Sequence, residues 1–286
     1  MLYFDESYFT NKEKEFSIRD NLYFETYQYP RFPLTEEEIN LLDYQESLNE
    51  AIDLDTGAGG KLRPVFIVLV YNPTSGFVKI AHNVMPDQKY WHASIAFGPS
   101  LSKCYSFGII PKNIVSEKNR KKFLHGGFVI ESLKKYIKED PNTKIEVDCI
   151  FLYPDRFAKL KETVDYYINN ADKTQYSFLN LAKMVFNIKD KNGLRTKLVC
   201  SEFVDTVLKS VNINVARDDK NKDVIRNSNL VKPGNLHYDK KNEKQFKLFE
   251  GKITNYSIKK ITDKVEKLSD DVNSEWFEGR DDEDED

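Results

Sequence analysis

The run Val65 to Tyr71, reading Val-Phe-Ile-Val-Leu-Val-Tyr, constrains the fold more than any other stretch of this chain. It is apolar at nearly every position, and it has the length of a strand, far short of the roughly 18 residues that would mark a membrane helix. A strand of this kind belongs in the middle of a sheet, with both faces covered. The neighbouring stretches supply partners. Asn72-Pro73-Thr74-Ser75-Gly76 is a turn into a second strand, Phe77 to Val84. Trp91 to Phe97 alternates, with Trp91, Ala93, Ile95 and Phe97 on one face and His92, Ser94 and Ala96 on the other. Lys103 to Phe107 is expected as its hairpin partner. Gly126 to Glu131 puts Gly127, Val129 and Glu131 on a common face, and Asn142 to Leu152 alternates through Ile145, Val147, Cys149 and Phe151.

Helices are expected between and after these strands. Asp155 to Asn170 turns Phe157, Leu160, Val164 and Tyr167 inward, and a second helix opens at Tyr176, with Ser177 as cap, and runs through Phe186. In Leu198-Val199-Cys200-Ser201-Glu202-Phe203-Val204, apolar residues follow Cys200 at helical spacing through Val207, Leu208 and Val211. Cys200 therefore occupies the first turn of an amphipathic helix, where unpaired N–H groups and the positive end of the dipole favour a thiolate. The same position suits an ordinary core cysteine, so a nucleophile here needs partners elsewhere. Glu202 points about 200° round the helix from Cys200, which fits a structural role such as bonding a loop amide.

Three segments divide the chain. Residues 1–60 form an extension rich in aromatics, including Tyr3, Phe4, Tyr23 and Phe24, with a helix start at Thr35; so many rings should pack on the main domain or on another chain. Residues 61–240 hold the strands and helices above. Residues 241–286 hold a short apolar element at Phe246 to Phe249, a stretch from Ile253 to Ile261 that fits strand or helix, and the acidic end Asp281 to Asp286, read as solvated. Thr56 to Lys61 resembles a phosphate loop but lacks its first glycine and the hydroxyl after the lysine, and it precedes a strand; it is read as a linker.

Composition narrows the function classes. A net charge of −3 offers no long-range attraction to nucleic acid or to an anionic membrane. Cys104, Cys149 and Cys200 match neither a disulfide framework nor a metal-binding spacing, so a reduced compartment and no metal or other cofactor are expected. The N-terminal residues lack the apolar core of a signal peptide, and no stretch is long enough to span a membrane, which points to the cytoplasm.

A cysteine hydrolase also needs an imidazole and a polar group to orient it. Among the four histidines, His82 shares a strand face with Val78, Ile80 and Val84 and reads as core or rim, while His125 and His237 fall in loops. His92 alone lies on a strand face cleared by small residues, a face that a helix could approach closely. Glu131, an acid ending an apolar strand, suits the orienting role and equally suits an exposed strand end.

The order His92-Ala93-Ser94-Ile95, Val129-Ile130-Glu131, Tyr176-Ser177-Phe178 and Cys200-Ser201-Glu202-Phe203-Val204 resembles the circularly permuted NlpC/P60 branch of the papain-like cysteine hydrolases, most of all its YiiX/YaeF-type members. The resemblance spans roughly residues 62 to 215. It implies an α+β fold with an antiparallel sheet and the nucleophile-bearing helix packed on one face. It further implies Cys200 as nucleophile, His92 as general base, Glu131 as orienting residue and Tyr176 lining the site, with the Cys200 backbone N–H as oxyanion donor. Ser177 departs from the usual Asp or Asn, and Ser132 from the usual Ala. The implied activity is a thiol-dependent peptidase, amidase or acyl hydrolase acting on peptide, peptidoglycan-peptide or acyl substrates. Against it stands a structural or assembly protein, virion-associated if phage-encoded, that binds a protein partner through residues 1–60.

Overall fold

A computed structural model of the protein describes residues 61–71, 89–109, 126–133, 142–177, 196–218, 223–239 and 245–278. The expected strand Phe77 to Val84, the helix after Ser177, the extension 1–60, His82, His125 and the acidic end lie outside these residues.

The apolar run becomes β1 (Arg63–Tyr71), fully buried from Val65 to Leu69. With β2 (Tyr90–Ala96), β3 (Cys104–Ile109), β4 (Gly126–Glu131), β5 (Lys144–Leu152) and β8 (Gln245–Lys252) it forms a six-stranded sheet in the order β4-β3-β2-β1-β5-β8. Every described pairing in this sheet is antiparallel. The short apolar element near Phe246 is thus the edge strand of the main sheet. Two further strands, β6 (Gln175–Tyr176) and β7 (Lys197–Leu198), form a small parallel pair.

Alternation along β1 divides the core in two. Val65, Ile67 and Leu69 join Ala93, Ile95, Tyr105, Phe107 and Phe128 on one face. Two helices cover this face. Helix α1 (Pro154–Asn169) starts with proline, whose fixed φ suits a first helical turn, and buries Leu160, Val164 and Tyr167. Helix α2 (Cys200–Lys209) buries Phe203, Val204, Val207 and Leu208. Phe107, Phe128, Tyr167 and Phe203 meet there with ring centroids 5.2–6.2 Å apart. On the opposite face Phe66, Val68 and Val70 join Ile145, Val147 and Cys149 beneath Ile261 and Val265 of helix α3 (Asn255–Glu278).

The stretch that suited strand or helix is helical because Thr254 and Ser257 cap it reciprocally: Ser257 N donates to Thr254 Oγ1 at 3.1 Å, and Thr254 N to Ser257 Oγ at 2.7 Å. Leu62 N donates to Asn273 Oδ1 at 2.7 Å, tying α3 to the start of the sheet. None of the described helices is long and apolar enough to cross a membrane.

Two expectations need correction. Between Val70 and Tyr71 the β1–β2 register shifts, with Val70 opposite His92 and Tyr71 opposite Tyr90. This bulge makes Trp91 the extra residue, so Tyr90 takes the core position that strict alternation gave to Trp91. Tyr176, expected to open a helix, is instead a strand residue opposite Leu198, because the parallel pair satisfies its backbone.

Candidate functional site

His92 and Glu131 meet. Nε2 of His92 lies 2.8 Å from Oε2 of Glu131, and the two side chains are 1% and 2% exposed. They belong to strands separated by β3, and the contact is possible because the floor between them is small. Register places Ser94 and Cys104 on the face that His92 shares with Val70, and Glu131 stands opposite Cys104. Ser106 lies on β3 between them, its hydroxyl donating to Ala93 O at 2.7 Å. When the ring N–H at Nε2 donates to the carboxylate, Nδ1 is the basic nitrogen, and the carboxylate fixes both tautomer and ring orientation.

The strand end that carries Glu131 is itself held. Leu133 N donates to Leu101 O at 3.2 Å, and Leu101 adopts a left-handed φ of 50° while its side chain is fully buried. A bulky residue keeps such a conformation only where its surroundings dictate it, here a turn closed by Leu101 N donating to Gly98 O at 3.1 Å.

Cys200 and Tyr176 form a second grouping. Cys200 is the first residue of α2 and is buried. Glu202, also buried, turns back so that Oε2 accepts from Val199 N at 3.4 Å, which satisfies a donor at the helix entry. Tyr176 pairs with Leu198, and Ser177 N donates to Leu198 O at 3.0 Å, so the strand holding Tyr176 also holds the segment that delivers Cys200. Thr174 Oγ1 accepts from Phe128 N at 2.8 Å and docks this strap on the edge of β4.

The His92–Glu131 pair and the apolar flank of α2 lie on different faces of the sheet by register. Helix α2 packs on β2 and β3 through the cluster containing Ala93 and Ile95, whereas His92, Ser94 and Ala96 point to the other side. The expected close approach of this helix to the small-residue face is therefore replaced by packing on the larger apolar residues, which bury more area against Phe203 and Val207.

The remaining cysteines are ordinary core residues. Burial pushes the thiols of Cys104 and Cys149 well above their usual range, and Glu131 adds to the effect at Cys104. Among the described residues no group of His, Cys, Asp and Glu is arranged to hold a metal ion.

Sequence reasoning missed a buried polar cluster on the α2 face. Tyr90 donates to Glu146, and Gln245 Nε2 donates to Asp148 Oδ2 at 3.0 Å. Its signal was present in β5, where Glu146 and Asp148 occupy the positions between Ile145, Val147 and Cys149. His237, expected in a late turn, stacks on the Tyr90 ring with centroids 6.2 Å apart. Comparison with protein-family models, curated proteins and solved structures finds no match to this chain.

Proposed function

We propose that the protein is a thiol-dependent hydrolase of amide or ester bonds, with Cys200 as nucleophile, His92 as general base and Glu131 as the residue that orients it. The observation that carries this reading is the buried His92–Glu131 contact at 2.8 Å, an imidazole held by a carboxylate on a strand against which the Cys200 helix packs. The helix N-terminus favours Cys200 as a thiolate. In this reading the sheet and its Cys200 helix are a permuted papain-like scaffold.

The chemistry follows in two steps. His92 takes the thiol proton at the start of β2, and the sulfur attacks the substrate carbonyl. The Cys200 backbone N–H and the Tyr176 hydroxyl would stabilise the oxyanion. The leaving amine or alcohol departs with the proton from His92, leaving a thioester. Water, deprotonated by His92, then attacks the thioester and releases the acid.

A second reading, a structural or assembly protein on the same scaffold, is favoured by a different observation. The apolar flank of α2 and the His92 side chain occupy opposite faces of β2. In that case the His92–Glu131 contact fastens β2 to β4 and does no chemistry.

Intact-mass analysis after brief exposure of the full chain to an aryl ester separates the two. The hydrolase reading expects one acyl group on Cys200, turning over with time, and at least about a hundredfold slower acylation in His92→Ala. Acylation that is absent, or indifferent to His92, favours the structural reading.

A further inference from the structure

The polar cluster missed by sequence reasoning joins five parts of the chain. Glu146 and Asp148 of β5 are fully buried. Glu146 accepts from Tyr90 of β2 and from Tyr238 N at 3.1 Å, and its Oε2 lies 3.2 Å from Lys247 Nζ of β8. Asp148 Oδ2 accepts from Gln245 Nε2 at 3.0 Å, and the same amide donates to Leu236 O at 3.0 Å. Glu250, opposite Glu146 in the β5–β8 pairing, accepts from Tyr71 of β1, from Lys89 at 2.9 Å and from Lys247 at 2.6 Å.

The charges here do not balance when every group is ionised. Three carboxyls, Glu146, Asp148 and Glu250, face two ammonium groups, Lys89 and Lys247, and the remaining titratable groups are the Tyr71, Tyr90 and Tyr238 phenols and the His237 ring stacked on Tyr90. A buried carboxylate without a counter-charge is costly, and one bound proton removes the excess.

We propose that Asp148 holds a proton while this edge is closed, that the protonated carboxyl lets Gln245 clasp β8, the α3 helix it leads into, and residues 236–238 to the sheet, and that the clasp loosens progressively as pH rises. The clasp sits where the β5–β8 register shifts between Val147 and Asp148, so the ladder is already interrupted there. Gln245 is the mechanical link, since its one amide nitrogen holds Asp148 and Leu236 together. Burial first, then the charge of Glu146, hold the Asp148 carboxyl well above the usual carboxylate range, with Lys247 opposing them.

Hydrogen exchange on the full chain between pH 6 and 9.5, corrected for intrinsic rates, tests this. The amides of β8 and residues 236–238 lose protection as pH rises, by up to about tenfold per pH unit, the limit for one released proton, while α1 holds its protection. Asp148→Asn keeps the shape without the charge and abolishes that dependence. Should this variant fail to fold, Glu146→Gln serves: it removes the neighbouring charge, so the loss of protection levels off at a lower pH than in the native chain. Flat protection in the native chain overturns the proposal, as does a pH profile unchanged in the variant that folds.

Discussion

His92 and Glu131 are taken out of water together, and each makes the other tolerable. Removing one partner leaves the other buried without compensation, so Glu131→Ala should cost about 3–5 kcal/mol. A urea titration checks it: the midpoint falls while the slope stays that of the native chain. Both residues were legible before the structure, His92 from the small side chains sharing its face and Glu131 as an acid closing an apolar strand. Their contact was not legible. It spans β3, and nothing in either local pattern says that the floor of Ser94, Cys104 and Ser106 lets the two side chains reach across. Trp91 shows a different loss. One extra residue at the β1–β2 bulge moves the ring off its expected face, because alternation carries no mark of an insertion.

Among the elements, the β6–β7 strap depends on a glycine. A Cβ at Gly127 would lie 2.6 Å from Thr174 Oγ1 and 2.9 Å from Thr174 O, so Gly127→Ala must push the strap off the edge of β4. The expected cost is about 1–3 kcal/mol. Thiol reactivity of Cys200 should change with it, since the strap pairs with Leu198; comparing labelling and unfolding of this variant measures both. Helix α2 is anchored instead by rings, and Phe203→Ala, which empties the centre of the Phe107, Phe128 and Tyr167 cluster, should cost about 3–5 kcal/mol by thermal or denaturant unfolding. Helical spacing around Cys200 announced α2 well, as did the inward residues of α1. The spacing did not say which sheet face α2 would cover. Nor did it place β8, whose pairing with β5 joins residues about a hundred positions apart.

Across the whole molecule, the β1–β5–β8 edge gives stability opposite slopes with pH. Bonds from Lys247, then Lys89 and Tyr71, lower the Glu250 carboxyl to about 2, so its contribution is full above the ordinary glutamate value and is lost as pH falls toward 2. Asp148 is raised, so the folded state holds a proton that the unfolded chain gives up, and stability falls as pH rises above the ordinary aspartate value. Thermal unfolding from pH 2 to 9 should therefore trace a maximum on the acid side of neutrality. Glu250→Gln should flatten the acid limb, modestly, because that side chain is 37% exposed and screened by salt. The α+β class and the central place of β1 were legible from hydrophobic patterning, since burial on both faces leaves β1 no polar alternation. The packing of α2 on the face opposite the His92–Glu131 pair was not, because it depends on how the helix settles on the finished sheet. The thiol chemistry is tested most directly by the rate at which a thiol-directed electrophile labels each cysteine of the full chain between pH 5 and 9. The account predicts rapid labelling at Cys200 with a thiolate plateau extending below pH 7, slowed in His92→Ala and Glu131→Gln, while Cys104 and Cys149 stay unlabelled. Labelling of Cys200 only at alkaline pH, at the same rate in both variants, would contradict it.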